Sequence, residues 1–238
     1  MKALIVALGF LTRLPMPRID ADDADFAAAI RLYPLAGLVI GVLVAGAGWL
    51  GARVDPWMGA LTALIAWVWA TGALHLDGLA DLSDGLGAAH GNRSRLLSVM
   101  ADPHIGSFGV VVLVLQLLAK LVLLHHVPPP GWAMIALIPA AARIGPLVWA
   151  RVLPPLRPGG LGAMVSRAVR PVDVIGWLIG VVMLGWVYPP LALAPLVLIG
   201  LAWWFRQRLG GVTGDVHGAG IELTETTLLF IAALYSAL

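Results

Sequence analysis

Apolar runs of bilayer length recur from residue 32 to the end of this chain, and they restrict the fold more than any other feature. A helix needs about 20 predominantly apolar residues to cross the hydrocarbon core. Runs near 32–51, 57–76, 106–126, 131–152, 174–188, 190–206 and 223–238 meet or approach that length. The fifth and sixth are short and divided by Pro189-Pro190, so they read as two helices with a tight turn or as one broken hairpin. The expectation is an all-α integral membrane protein, a polytopic bundle of six to eight transmembrane helices with seven as the central count, forming a single membrane-embedded catalytic domain over residues 1–238. Composition agrees. Hydrophobic residues make up 60% of the chain and charged residues 12%, which leaves too little polar surface for a soluble domain. The opening segment, Lys2 to Leu11, is about half a span with no small-residue cleavage site after it, and reads as an interfacial or re-entrant helix that stays in the mature protein.

Charge placement predicts orientation. Arg13, Arg18 and Arg31 precede the first run, Arg93 and Arg95 follow the second, Arg151, Arg157, Arg167 and Arg170 flank the loop after the fourth, and Arg206 and Arg208 follow the sixth. The intervening loops hold only Arg53. The positive-inside rule assigns the Arg-rich loops to the cytoplasm. With no cysteine in the chain, disulfides and thiolate chemistry are excluded. The acidic patch Asp20, Asp22, Asp23 and Asp25 reads as a solvated loop and helix start.

Against this apolar background, the run from His75 to Gly85 contains Asp77, Asp81 and Asp84 immediately after the second apolar stretch. Their i, i+4, i+7 spacing puts three carboxylates on one helical face. Such a concentration of like charge beside hydrocarbon calls for a compensating cation, and a hard divalent metal is the natural one. A fourth acid, Asp102, stands in a turn-forming stretch before Ile105-Gly-Ser-Phe-Gly109, where it either belongs to the site or caps the next helix. A glycine-rich excursion, Gly210 to Gly220, carries Asp215 and leads to Glu222 and Glu225. Its glycines allow backbone amides to approach an oxyanion, Asp215 is a further ligand candidate, and Glu225 is expected to complement the dipole of the last helix. Lys120 and Arg143 fall inside apolar runs and are expected to face the bundle interior. Arg143 is matched to a phosphate or an aspartate; Lys120 either snorkels or pairs with a carboxylate.

Thr12-Arg13-Leu14-Pro15, Tyr33-Pro34-Leu35-Ala36-Gly37, the run His75 to Leu86, Asp102 with Ile105 to Gly109, and Gly211-Val-Thr-Gly-Asp215 occur in this order along essentially the whole chain. Together they resemble the cobalamin synthase, or adenosylcobinamide-GDP ribazoletransferase, family. The chain departs from the pattern at Ala101, Pro103 and His104 around Asp102, and at Ile221 before Glu222. The shared face of the acid run and the Arg-rich loops argues for a cytoplasmic-side site, and the resemblance implies a multi-pass bacterial inner-membrane enzyme dependent on Mg2+. It would join adenosylcobinamide-GDP to alpha-ribazole or its 5′-phosphate and release GMP, the late step of cobalamin synthesis, with no nucleic acid involved. It also implies roles: Asp77, Asp81 and Asp84 as metal ligands, Asp102 or Asp215 completing the site or acting as base, and Arg13, Lys120 and Arg143 contacting pyrophosphate. Thr213 and Gly214 would cradle the nucleotide, with His75 and Glu222 on the substrate side. A homo-oligomer, or a complex with the enzymes supplying the substrates, stays open. Two rivals share the acids: a CDP-alcohol phosphotransferase, whose acid spacing and Ala-Arg pair this chain lacks, and a cation transporter, whose acids belong near the bilayer midplane rather than at a span's end.

Overall fold

The computed structural model describes residues 1–128 and 131–236, and among these it is built of helices with no strand. Helix α1 (Lys2–Leu11) is followed by α2 (Asp23–Arg31), which starts on a capping box: the Asp22 carboxylate accepts from the Asp25 amide at 2.8 Å and Asp25 accepts from the Asp22 amide at 3.1 Å. The acidic patch is thus a helix start. Helices α3 (Tyr33–Gly51) and α4 (Pro56–Thr71) form an antiparallel pair whose turn is organised by Asp55, which accepts from the amides of Trp57 and Met58.

The chain then turns through 84° into α5 (Leu74–Ala89), the acid-bearing helix. The bend is made by two consecutive left-handed residues, Gly72 (φ 59°) and Ala73 (φ 60°). Glycine adopts that conformation freely, whereas Ala73 has a Cβ and sits there at a cost of roughly 1–2 kcal/mol. Helices α6 (Arg93–Val99) and α7 (Ser107–His125) follow, then three short helices, α8 (Trp132–Ile135), α9 (Ile138–Ala142) and α10 (Gly145–Val152). These three make one interrupted span across Trp132–Val152. Its closeness to α3 depends on Gly37 and Gly41, where a Cβ would collide with the backbone of Pro139 and Ala136. Helices α11 (Leu161–Ala168) and α12 (Pro171–Leu184), a 3-10 turn at Pro189–Leu193, α13 (Ala194–Arg208) and α14 (Gly214–Ser236) complete the chain.

Among the described residues, four helical segments are long and apolar enough to cross a bilayer alone: Tyr33–Gly51, Ser107–His125, Trp132–Val152 and Pro189–Arg208. The count becomes five if the bent α4–α5 pair is one span, so by length and composition fewer helices than the expected seven pass as spans. Each difference has a local cause. The run at 57–76 breaks at Gly72-Ala73, the run at 174–188 yields a helix of only 14 residues, and the run at 223–238 is part of a 23-residue helix whose Asp215, Glu222 and Glu225 lower its hydropathy. Residues 237–238 of that last run lie outside the described residues. Outward faces of α7, α12 and α13 are apolar, with Val111, Leu115, Ile175, Ile179, Leu196 and Trp203 all exposed, as a lipid-facing surface requires.

Inside, buried apolar side chains among the described residues form two clusters. The larger joins α3, α4, α5, α7, α13 and α14; the smaller joins α1, α2 and α11 to the starts of α3 and the end of α10. Helix α5 lies between α7 and α14. A Cβ on Gly78 would collide with the backbone of Asp215, and one on Gly218 would sit 3.3 Å from the Cα of His75, so glycine on each helix brings the α5 and α14 backbones together.

Candidate functional site

Where the two apolar clusters meet, a cavity of about 230 Å³ opens between α1, α5, α11 and the start of α14. Phe10, Leu11, Tyr33, Leu161, Val165 and Ile221 give it an apolar wall. Asp77, Arg157, Thr213, Gly214 and Asp215 give it a polar one. Helix α5 contributes the exposed Asp77, and its tight approach to α14 puts Asp215 and Asp77 within electrostatic range of each other and of Asp81. The Thr213 hydroxyl accepts from the Val216 amide at 3.2 Å, capping α14, and stands 3.3 Å from Asp215 Oδ2.

Asp84 faces elsewhere. It is 8% exposed, and its two oxygens accept from the Gly106 amide at 2.7 Å and the Gly109 amide at 2.9 Å, so a side chain of α5 caps the start of α7. A Cβ on either glycine would collide with that carboxylate, which gives the Gly106 and Gly109 positions a physical reason. Capping of α7, weighed for Asp102 on sequence grounds, is performed by Asp84 instead. Asp102 lies in the exposed loop before α7, where the amide and imidazole of His104 donate to it at 3.0 and 2.7 Å and hold its carboxyl below the ordinary range. It does not join the other acids at the cavity.

Lys120, Arg143, Glu222 and Glu225 meet in the bundle interior. Lys120 Nζ donates to Glu222 at 2.7 Å and Glu225 at 2.6 Å, and Arg143 donates to Glu225 at 2.9 Å and to the Pro139 carbonyl at 2.9 Å. Gln116 donates to Glu222 at 2.8 Å, and Lys120 stands 4.4 Å from the Trp67 ring centroid. Both cations face inward as expected, and Lys120 pairs rather than snorkels. The expected role of Glu225 at a helix start is corrected: α14 begins at Gly214, so Glu225 is mid-helix and fully buried. The glycine-rich excursion is likewise shorter than expected, since residues from Gly214 onward are helical. Two cations balance two anions, and none of the four lines the cavity. His75 connects the two regions: it lines the cavity, is 3% exposed, and its Nδ1 lies 3.3 Å from Arg143 Nη2. Arg13 is exposed at the bend, its amide donating to the Ala70 carbonyl at 2.8 Å and its side chain packing on Gly72, outside the cavity wall.

Arg157, Tyr33 and Phe10 also line the cavity, and none belongs to the site residues expected from the sequence. The signal for Arg157 was present in its setting: a lone arginine between Pro154-Pro155 and Pro158-Gly159-Gly160 is held in a stiff loop. Fold proximity of α1 to the start of α3 brings in Phe10 and Tyr33, and no local pattern marks it.

The cobalamin-5-phosphate synthase family model matches residues 3–233. This chain belongs to that family. An adenosylcobinamide-GDP ribazoletransferase of Novosphingobium aromaticivorans is 55% identical, covering 98% of this chain and 97% of its own length. The ribazoletransferase of Laribacter hongkongensis is 50% identical over 100% of this chain and 99% of its own, and that of Thiobacillus denitrificans is 49% identical over 100% and 97%. No solved structure matches.

Proposed function

We propose that this chain joins adenosylcobinamide-GDP to alpha-ribazole or its 5′-phosphate, forming adenosylcobalamin or its 5′-phosphate and releasing GMP. The full-length match to ribazoletransferases carries this reading. Its chemical support is the convergence of Asp77, Asp81 and Asp215 from two helices beside one cavity. We further read it as a bacterial inner-membrane enzyme with the cavity on the cytoplasmic side, because the Arg-rich loops and the acid-bearing helix fall on the same side of the sequence-derived topology.

Oxygen donors of Asp77 and Asp81 are the ligand type that Mg2+ takes, which leaves Asp215 as the other acid beside the cavity. Among the described residues no three His, Cys, Asp or Glu side chains stand together as a ready cage. Magnesium commonly takes one or two carboxylates and completes its shell with water and substrate phosphate, so this donor set fits an ion shared with the substrate. When bound, the ion would offset negative charge on the phosphates. The chain's own residues do the rest. A ribose hydroxyl oxygen attacks the phosphorus bonded to the cobinamide arm, the phosphoanhydride bond to GMP breaks, and the hydroxyl proton passes to a carboxylate, for which Asp215 on the cavity wall is the best-placed acid. Thr213 and Gly214, at the start of α14, line the cavity and would cradle the nucleotide there. The apolar wall of Phe10, Leu11 and Tyr33 limits water beside the reacting phosphorus.

The test is GMP release by lipid-reconstituted protein given adenosylcobinamide-GDP and alpha-ribazole phosphate, with Mg2+ or with chelator. Metal-dependent GMP release matched one-for-one by cobalamin phosphate is expected. Folded protein that forms no coupled product would refute the reading.

A further inference from the structure

We propose that Arg157 holds the diphosphate of the nucleotide-linked substrate, and that Lys120 and Arg143 do not. The inference rests on the function proposed above and adds the residue that confers affinity for the donor's charged part. A diphosphate entering this cavity meets Asp77 and Asp215, with Asp81 nearby, and needs positive charge beyond any shared metal ion. Among the described residues lining the cavity, Arg157 is the only Lys or Arg.

The buried cations are already committed. Lys120 and Arg143 side chains are 3% and 0% exposed and are paired with Glu222 and Glu225, so freeing either for a ligand would strand a carboxylate in an apolar bundle. Arg157 differs on both counts. Its side chain is 37% exposed, its Nη2 donates to the Leu97 carbonyl at 3.0 Å, and its Nη1 stands 3.9 Å from Asp215 Oδ2, beyond hydrogen-bond distance. A guanidinium has five N–H donors in a planar fork suited to two phosphate oxygens, and most of these remain free.

Its position is also built. The Leu156 amide donates to the Val212 carbonyl at 2.9 Å and the Val212 amide to the Pro154 carbonyl at 3.0 Å, which straps the Arg157 loop to the segment leading into Thr213, Gly214 and Asp215. Pro154, Pro155 and Pro158 stiffen the loop around it. The fork is therefore held beside Asp215, close to the proposed reacting phosphorus, before substrate arrives.

The experiment compares wild type with Arg157→Ala and Arg157→Lys in lipid nanodiscs containing Mg2+. Three quantities are read: KM and kcat for adenosylcobinamide-GDP, binding of inorganic pyrophosphate by calorimetry, and the thermal unfolding midpoint. Arg157→Ala is expected to raise KM and weaken pyrophosphate binding by roughly 10- to 100-fold, the range for charge-assisted hydrogen bonds, with an unchanged midpoint. Arg157→Lys should recover part of the loss as a point charge without the fork, and millimolar guanidinium should restore part of the Arg157→Ala rate. Wild-type KM and pyrophosphate affinity in a folded Arg157→Ala protein would overturn the proposal. So would loss of activity accompanied by a lowered midpoint and no guanidinium rescue, which would make Arg157 a structural tie to Leu97. Pyrophosphate binding does not depend on the corrinoid. An Arg157-dependent binding signal in protein that makes no cobalamin would therefore sink the ribazoletransferase reading alone.

Discussion

Asp81 and Asp84 are one helical turn apart on α5, yet their surroundings give them separate tasks. Asp81 is half-buried and in the field of Asp77 and Asp215, whereas Asp84 gives both oxygens to the backbone of α7. Asp81→Asn removes a charge from the cavity side and keeps shape, so turnover should fall by two or more orders of magnitude with little change in unfolding midpoint. Asp84→Asn puts an amide NH2 where one oxygen now accepts, leaving a backbone N–H unpaired, and should destabilise the fold by about 1–3 kcal/mol. Kinetics and thermal unfolding of the two variants side by side check this. A stable but inactive Asp84→Asn protein would instead put Asp84 among the reacting groups. Three acids on one face were legible in the sequence; that one of them serves the next helix was not, because its partners are backbone amides 22 and 25 residues away.

At the scale of elements, α14 is the piece on which the site depends. Its glycines admit α5, its first turn supplies Asp215, and its middle carries Glu222 and Glu225 to Lys120 of α7 and to Arg143 between α9 and α10. A buried ion pair contributes little net stability when made, but removal of one partner leaves the other unpaired in a low-dielectric interior. Glu225→Gln removes the carboxylate shared by both cations and is expected to lower stability by about 3–5 kcal/mol. Reversible unfolding in mixed detergent checks the value. A loss below about 1 kcal/mol would mean that water or a rearranged Glu222 neutralises both cations. Because His75 lies 3.3 Å from Arg143 on one side and on the cavity wall on the other, that variant should also reduce activity before it unfolds.

For the whole molecule, the basic loops should share one side of the membrane. With no native cysteine, single-cysteine labelling needs no background removal. In inverted membrane vesicles, Ser94→Cys and Ser166→Cys, beside the Arg93–Arg95 and Arg167–Arg170 groups, should react with a membrane-impermeant maleimide, and Ala52→Cys, beside Arg53, should not. Equal labelling of all three would overturn the orientation. This result also bears on span number, since a broken α4–α5 pair and a short α12 leave composition alone unable to say which segments reach both surfaces.

Membrane class, helical content and the acidic helix followed from the sequence, because bilayer length, helical period and charge spacing are local properties that neighbouring residues decide between them. Family membership was equally legible, through ordered motifs that span the chain. Only the tertiary structure decided which charges are available to a ligand. Lys120 and Arg143, each within an apolar run, carried no local sign that they were already paired. Glu222 and Glu225, about 80 to 105 residues away, neutralise Lys120 and Arg143, while Arg157, read from the sequence only as a loop charge, is strapped beside Asp215. Electrostatic pairing acts through space in a low-dielectric interior, so which charges are already paired is decided by packing rather than by spacing along the chain.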